Sequence, residues 1–132
     1  MSAREPATEV VAAVIERDGR ILIARRPADR HLGGLWEFPG GKRQPGETPE
    51  AALVREIREE LDAAVTVGPL LEDVEWAYPG KTVRLRFYRC ALESEPRAVE
   101  GQELAWVAPS DLERYRFPPA DEVLLTRLTR RR

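Results

Sequence analysis

Two apolar runs flank Asp18-Gly19 in the stretch TEVVAAVIERDGRILIARR. Asp-Gly supplies positive φ where a tight turn needs it, so this stretch predicts a β-hairpin. The following segment, PADRHLGGLWEFPGGKRQPGE, is rich in Gly and Pro, with Trp36 and Phe38 as its anchors. It is long for a plain connection, and long ordered loops often carry function. A helix then begins at Thr48, which suits the cap, with Pro49 at the first helical position. Leu53, Val54, Ile57 and Leu61 recur on one side at helical periodicity. After Asp62 the pattern becomes extended. AAVTVGPLLEDVEWAYPGKTVRLRFYRCALE reads as two strands joined at Pro79-Gly80, with Val83, Leu85 and Phe87 facing inward. SEPRAVEGQE is a loop, and LAWVAPSDLERY is a short strand followed by a helical turn. RFPPADEVLLTRLTRR ends in a helix with Asp121 at its cap and Val123, Leu124 and Leu128 on its buried face.

Composition narrows the class. A chain of 132 residues, 42% hydrophobic and 33% charged, suits one soluble globular domain over 1–132, with a core large enough to fold without staples. A net charge of -2 offers no global attraction to nucleic acid or to a membrane surface. The one cysteine, Cys90, excludes an intrachain disulfide and a cysteine metal cluster, and its apolar-alternating context predicts a small buried core residue. The opening MSAREPATE has no apolar core of a signal peptide, and no apolar run approaches the roughly 18 residues of a membrane span. The basic end RLTRRR reads as a solvated terminus. The expectation is a cytoplasmic monomer with no membrane partner and no stable nucleic-acid complex.

One feature of the helix does not follow from packing. REIREEL places Glu56, Glu59 and Glu60 at spacings that stack side chains, where like charges oppose one another. At about 100° per residue they centre roughly 120° from the apolar stripe, so they point sideways off the core. An isolated cluster of this kind is a solvated face with Arg55 and Arg58 as local partners. Next to Gly40 and Gly41, which allow close backbone approach, it also makes sense as a seat for Mg²⁺, which takes hard oxygen ligands from carboxylates and phosphates.

The wider text of the box decides between those readings. GGKRQPGETPEAALVREIREELDA carries Gly41, Glu47, Arg55-Glu56 and Glu59-Glu60, with Ile57 and Leu61 as its bulky aliphatic residues. It resembles the Nudix box G-x5-E-x7-R-E-U-x-E-E-x-G-U. Two positions depart: Asp62 replaces the final glycine, and the smaller Ala63 fills the last aliphatic place. The glycine ends the helix in a left-handed conformation, which Asp tolerates at about 1 kcal/mol. Beyond the box, WEFPGGK, EGQELAW and FPPADE are similar to the MutT-type branch, so the resemblance spans about Val10 to Leu128.

The resemblance implies an α+β fold with a mixed β-sheet sandwiched between helices. It also implies Mg²⁺-dependent hydrolysis, with Mn²⁺ as a possible substitute, of a nucleoside triphosphate to monophosphate and pyrophosphate. Water would attack the β-phosphorus. The substrate it favours is 8-oxo-dGTP or a related damaged nucleotide, which would make the enzyme a nucleotide-pool sanitiser. A (d)CTP or modified-pyrimidine triphosphate is the alternative substrate. A non-catalytic module binding nucleotide or RNA is the rival of another class, although such modules usually lose box glutamates.

By the same resemblance Glu56, Glu59 and Glu60 hold the metal, with Glu100 and the Gly40 carbonyl as further ligands, and Glu56 is the general base. Glu103 competes with Glu100 for the distal position. Arg55 orients carboxylates, while Gly41 and Glu47 support the motif. Substrate contacts fall to Arg26, rather than its neighbour Arg25, and to His31, Glu37, Phe38 and Asp121. Trp36, Trp76, Tyr78, Phe87 and Trp106 default to core. Asp121 stands where 8-oxoguanine-specific relatives carry Asn. Ionised, it only accepts hydrogen bonds, which suits the exocyclic amines of cytosine or adenine. Reading a base and capping the last helix both remain open for it.

Overall fold

The computed structural model describes residues 7–25, 27 and 34–130. Arg26 and His31, expected at the substrate, lie outside the described residues. The hairpin forms as the sequence predicts, from β1 (Thr8–Arg17) and β2 (Arg20–Arg25). Asp18 and Gly19 take φ of 54° and 76° at the turn. The two strands pair only next to that turn, at Glu16↔Ile21 and Arg17↔Arg20. They then part and recruit different neighbours.

β1 runs parallel to β6 (Lys81–Leu92), from Thr8↔Val83 to Ile15↔Cys90, and antiparallel to β4 (Gly40–Lys42). β2 pairs instead with β3 (Trp36–Glu37) and β7 (Glu103–Val107). β5 (Val65–Tyr78) lies antiparallel to β6, with register shifts between Val67 and Glu72. Among the described residues the result is a mixed seven-stranded sheet.

β1 is central, and Val11 to Ile15 are buried on both faces. Ala12 and Val14 join Phe38, Leu85, Phe87, Leu124 and Leu128 in one core. Val11, Ala13 and Ile15 join Leu53, Ile57, Leu61 and Cys90 in the other. α1 (Pro49–Leu61) covers the second core, and α2 (Glu122–Thr129) with the 3-10 turn Pro109–Arg114 covers the first. The expected sheet between helices is therefore the fold.

α1 begins as predicted: the Thr48 hydroxyl accepts from the Ala51 N–H at 3.1 Å. Asp62 ends it with φ 50° and ψ 41°, its N–H donating to the Arg58 carbonyl at 3.0 Å. An Asp thus performs the turn that the Nudix pattern assigns to Gly.

Three expectations need correction. Val54 is 43% exposed, because the sheet covers a stripe only as wide as Ala52, Leu53, Ile57 and Leu61. Val123 is 50% exposed for the same reason on α2, where Leu124 and Leu128 carry the burial. Asp121 occupies the cap position of α2 but its side chain makes no capping bond. A 3-10 turn, Pro119–Asp121, feeds straight into the helix and leaves Asp121 helical itself, at φ -85° and ψ -6°. No described helix is long and apolar enough to cross a membrane.

Candidate active site

The site is built where β4 crosses in front of α1. Gly40 pairs with Ala12 on β1 so closely that a Cβ there would lie 2.0 Å from the Val11 carbonyl oxygen. A Cβ on Gly41 would instead lie 2.1 Å from Glu56 Oε1. The two glycines therefore do different work: Gly40 lets the strands pair, and Gly41 makes room for a carboxylate.

Arg55 organises the acids. Its Nε and Nη2 form a fork on Glu47, at 2.7 and 3.0 Å. Nη1 donates to Glu56 Oε2 at 2.9 Å and to both oxygens of Glu59 at 2.8 and 3.1 Å. Nη2 also reaches the Lys42 carbonyl at 3.0 Å, which ties the helix to β4. One planar guanidinium thus fixes three carboxylates, a task suited to its rigid donor geometry. Arg55 touches the acids and not a reacting atom, so its part is positioning. Arg55, with the Gln44 N–H, holds the Glu47 carboxyl down to about 2.

Glu60 is left off that fork. Burial, then the charges of Glu37, Glu56 and Glu100, push its carboxyl up to about 8, against a hydrogen bond from the Gly40 N–H. Burial also raises Glu56 above the usual carboxylate range; Arg55 opposes this, while Glu59 and Glu100 add to it. Glu37, Glu60 and Glu100 line one cavity of about 150 Å³, together with Gln102. Glu100 is therefore the distal acid brought to the cluster. Its competitor Glu103 does not line this cavity but pairs at 3.3 Å with Arg25, which does.

Among the described residues, no three of these acids converge closely enough to hold an ion as they stand. Arg55 occupies the lone pairs of Glu56 and Glu59 that face it. The chemistry of the set nevertheless fits a divalent cation: all donors are hard oxygens, and their mutual repulsion and burial are relieved by positive charge.

A second cavity, of about 370 Å³, opens beside the first and shares Glu37 with it. Gly40 and Gly41 form one end, Val83, Leu85 and Phe87 an apolar wall, and Asp121 a polar corner. Asp121 is only 5% exposed, and burial, with Glu37 nearby, pushes its carboxyl up to about 7. Phe38 belongs to the wall and the core together: it is buried, stacked on Phe117 at 5.2 Å and edge-on to Phe87 at 5.8 Å. It can give a ligand only an apolar surface. Tyr78 and Phe87, assigned to the core by default, line this cavity as well.

Trp36 packs edge-on against Tyr115 at 5.2 Å, and Trp76 and Trp106 pack against the two cores, as their default assignment expects. Cys90 is buried, and burial pushes its thiol up to about 12, which rules out a nucleophile at neutral pH. Sequence reasoning missed Gln102 in the acidic cavity and Lys42 and Lys81 at the larger one. Gln102 stands inside the EGQ text already singled out, so its signal was at hand; the lysines carry none.

Residues 10–127 match the NUDIX domain, and the chain belongs to the Nudix hydrolase family. Hydrolases of this family generally depend on a divalent metal. The chain is 44% identical over 118 residues to a CTP pyrophosphohydrolase of Escherichia coli K12, covering 89% of this chain and 87% of the relative. It is 38% identical to an 8-oxo-dGTP diphosphatase of the same organism, covering 91% and 94%. The structure of MutT protein from Methanosarcina mazei superposes with a TM-score of 0.85 at 25% identity, covering 98% of this chain and 97% of that one.

Proposed function

We propose that this chain hydrolyses a nucleoside triphosphate to the monophosphate and pyrophosphate, with 8-oxo-dGTP or a related damaged nucleotide as the substrate. One observation carries the reading: an apolar-walled cavity large enough for a nucleoside, lined by Gly40 and Gly41, shares Glu37 with the acidic cavity of Glu60 and Glu100. A base held at Asp121 then directs its polyphosphate toward the carboxylates.

Acids alone would repel that polyphosphate. Glu56, Glu59, Glu60 and Glu100, with the Gly40 carbonyl, are the residues that would hold Mg²⁺. When bound, the ion supplies charge neutralisation and polarisation of the phosphate. Glu56, partly buried and raised above the ordinary carboxylate range, takes the proton of the attacking water. Arg55 holds Glu56 and Glu59 in place, and Glu47 anchors Arg55.

Asp121 supports a second substrate, (d)CTP or a modified pyrimidine triphosphate. Ionised, it accepts from the exocyclic amine of cytosine. Protonated, it donates to O6 of an oxidised guanine while its other oxygen accepts from N7–H. A carboxyl at about 7 has access to both states near neutral pH. The test is pyrophosphate release from 8-oxo-dGTP, dGTP, dCTP, 5-methyl-dCTP and 2-hydroxy-dATP with Mg²⁺. A kcat/KM at least tenfold higher for one damaged or cytosine nucleotide supports the reading. No pyrophosphate from any of them refutes it in favour of a binding module, and full turnover by Glu59→Gln refutes the catalytic assignment of the carboxylates.

A further inference from the structure

The box helix ends with carbonyls that have no partner within the helix. Asp62 N–H satisfies Arg58. The next ones are taken by a distant loop. Arg97 N–H donates to the Leu61 carbonyl at 2.7 Å, and Gln102 Nε2 donates to the Glu60 carbonyl at 3.1 Å. The other end of the same carboxamide, Gln102 Oε1, accepts the Glu100 N–H at 2.9 Å. A single side chain thus bridges the backbones of Glu60 and Glu100, whose carboxylates line one cavity with it.

We propose that Gln102 is a positioning residue that latches the Glu100 loop onto the end of the box helix, setting the spacing of Glu60 and Glu100 for a divalent cation. The proposal rests on the metal-site reading above and adds the part that holds the site together. A carboxamide suits the task because it offers a donor and an acceptor without adding charge to an already acidic cavity. Glu in its place has no donor, and Asn is one methylene shorter. Besides the Arg97 N–H bond to Leu61, the loop has another side-chain tether, since Arg97 Nη2 donates to Asp62 Oδ2 at 2.6 Å. That pair is open to water, with 70% and 47% of the two side chains exposed, so it contributes little on its own. Gln102 is the part-buried side-chain tether, and it acts next to the carboxylates.

The test compares Gln102→Met, close in shape but without the carboxamide, with Glu100→Gln in the full chain. Mn²⁺ binding is read by electron paramagnetic resonance, the Glu100 amide by hydrogen exchange, folding by thermal unfolding, and turnover across a metal titration. For Gln102→Met, Mn²⁺ affinity should fall about tenfold, the usual scale for a group that supports metal ligands. Glu100 amide exchange should speed up by a similar factor with little change in Tm. The lost turnover should return at saturating metal with KM for the nucleotide unchanged, whereas Glu100→Gln should not recover. Wild-type Mn²⁺ affinity in Gln102→Met, or a turnover loss that merely follows Tm, overturns the proposal. If Glu100→Gln itself binds Mn²⁺ as tightly as wild type, the metal-site reading fails and the proposal with it. Weakened binding in Glu100→Gln alone sinks only the latch.

Discussion

Alanine at Gly41 and at Gly40 separates chemistry from folding at adjacent positions. At Gly41 the new methyl would lie 2.1 Å from Glu56 Oε1 and 2.3 Å from its carboxyl carbon. A carbon and an oxygen rest about 3.3 Å apart, so the carboxylate must retreat by about 1 Å. It is the end of a flexible side chain and can swing away, so folding is nearly spared. Displacing a reacting group by about 1 Å costs on the order of 100-fold in rate, or about 2.7 kcal/mol in activation free energy. At Gly40 the methyl meets backbone: the Val11 oxygen at 2.0 Å and Ala12 Cα at 2.8 Å. These atoms belong to the central strand and cannot yield without opening the β1–β4 pairing. Overpacking of that kind costs about 3 kcal/mol, roughly 10 °C in Tm for a domain of this size. The assay is kcat for pyrophosphate release at saturating Mg²⁺ beside thermal unfolding by circular dichroism. Gly41→Ala should lose turnover at a Tm within about 3 °C of wild type, and Gly40→Ala should lose Tm. If Gly41→Ala keeps kcat within about threefold, Glu56 does no chemistry from the place Gly41 leaves for it. If both variants melt alike, the assignment of one glycine to each task is wrong.

Arg55→Lys keeps the charge but loses the planar fork, so kcat should fall about 100-fold. The Glu47 carboxyl, followed by carbon-13 NMR, should then climb from about 2 toward the ordinary range; a Glu47 titration at its wild-type position would refute the fork. Glu9 accepts from Arg43 and from Arg86, and these partners hold its carboxyl down to about 2. Its stabilisation is therefore complete above about pH 4.5 and lost as pH falls toward 2. Discounted for screening of this half-open pair, Glu9→Gln should cost about 1 kcal/mol in urea unfolding at pH 7 and nothing at pH 2, and an equal cost at both would refute the linkage. Asp121 runs the other way: burial holds its carboxyl up, so its ionisation costs stability as pH rises from about 4 through 7. Asp121→Asn should gain about 2 kcal/mol at pH 8 relative to pH 4, and its kcat/KM ratio should move toward 8-oxo-dGTP and away from dCTP. An unchanged ratio would mean that Asp121 reads no base.

The box helix was legible because its signals are local and agree: Thr48 and Pro49 open it, the apolar period turns Leu53, Ile57 and Leu61 inward, and the glutamates project off that face. The hairpin turn was legible for the same reason. What β1 and β2 do after the turn was not, since pairing with β6 and β7 is decided by partners about 75 to 86 residues away. Val54 and Val123 were misread because periodicity counts apolar residues, whereas burial counts the width of the surface that covers them. Residue type left Asp121 open between helix cap and base reader, and Pro118 and Pro119 preset a 3-10 turn that leaves its side chain out of any capping bond and on the cavity wall. Gln102 bonds to a carbonyl 42 residues earlier in the chain, beyond any window of pattern or propensity. The division has a physical cause. Crowding carboxylates on one helix face takes only a short run of chain, so the chemistry of a polyphosphate hydrolase can be written as a motif. In the proposed reading, choosing a base takes walls from β1, β4, β6 and the 3-10 turn before α2, so selectivity would reside in contacts between segments that no motif joins. Relatives named for CTP and for 8-oxo-dGTP can therefore resemble this chain about equally well. In the proposed reading, substrate preference rests on Glu37, which lines both cavities, and on Asp121, which lines the larger one, rather than on the box.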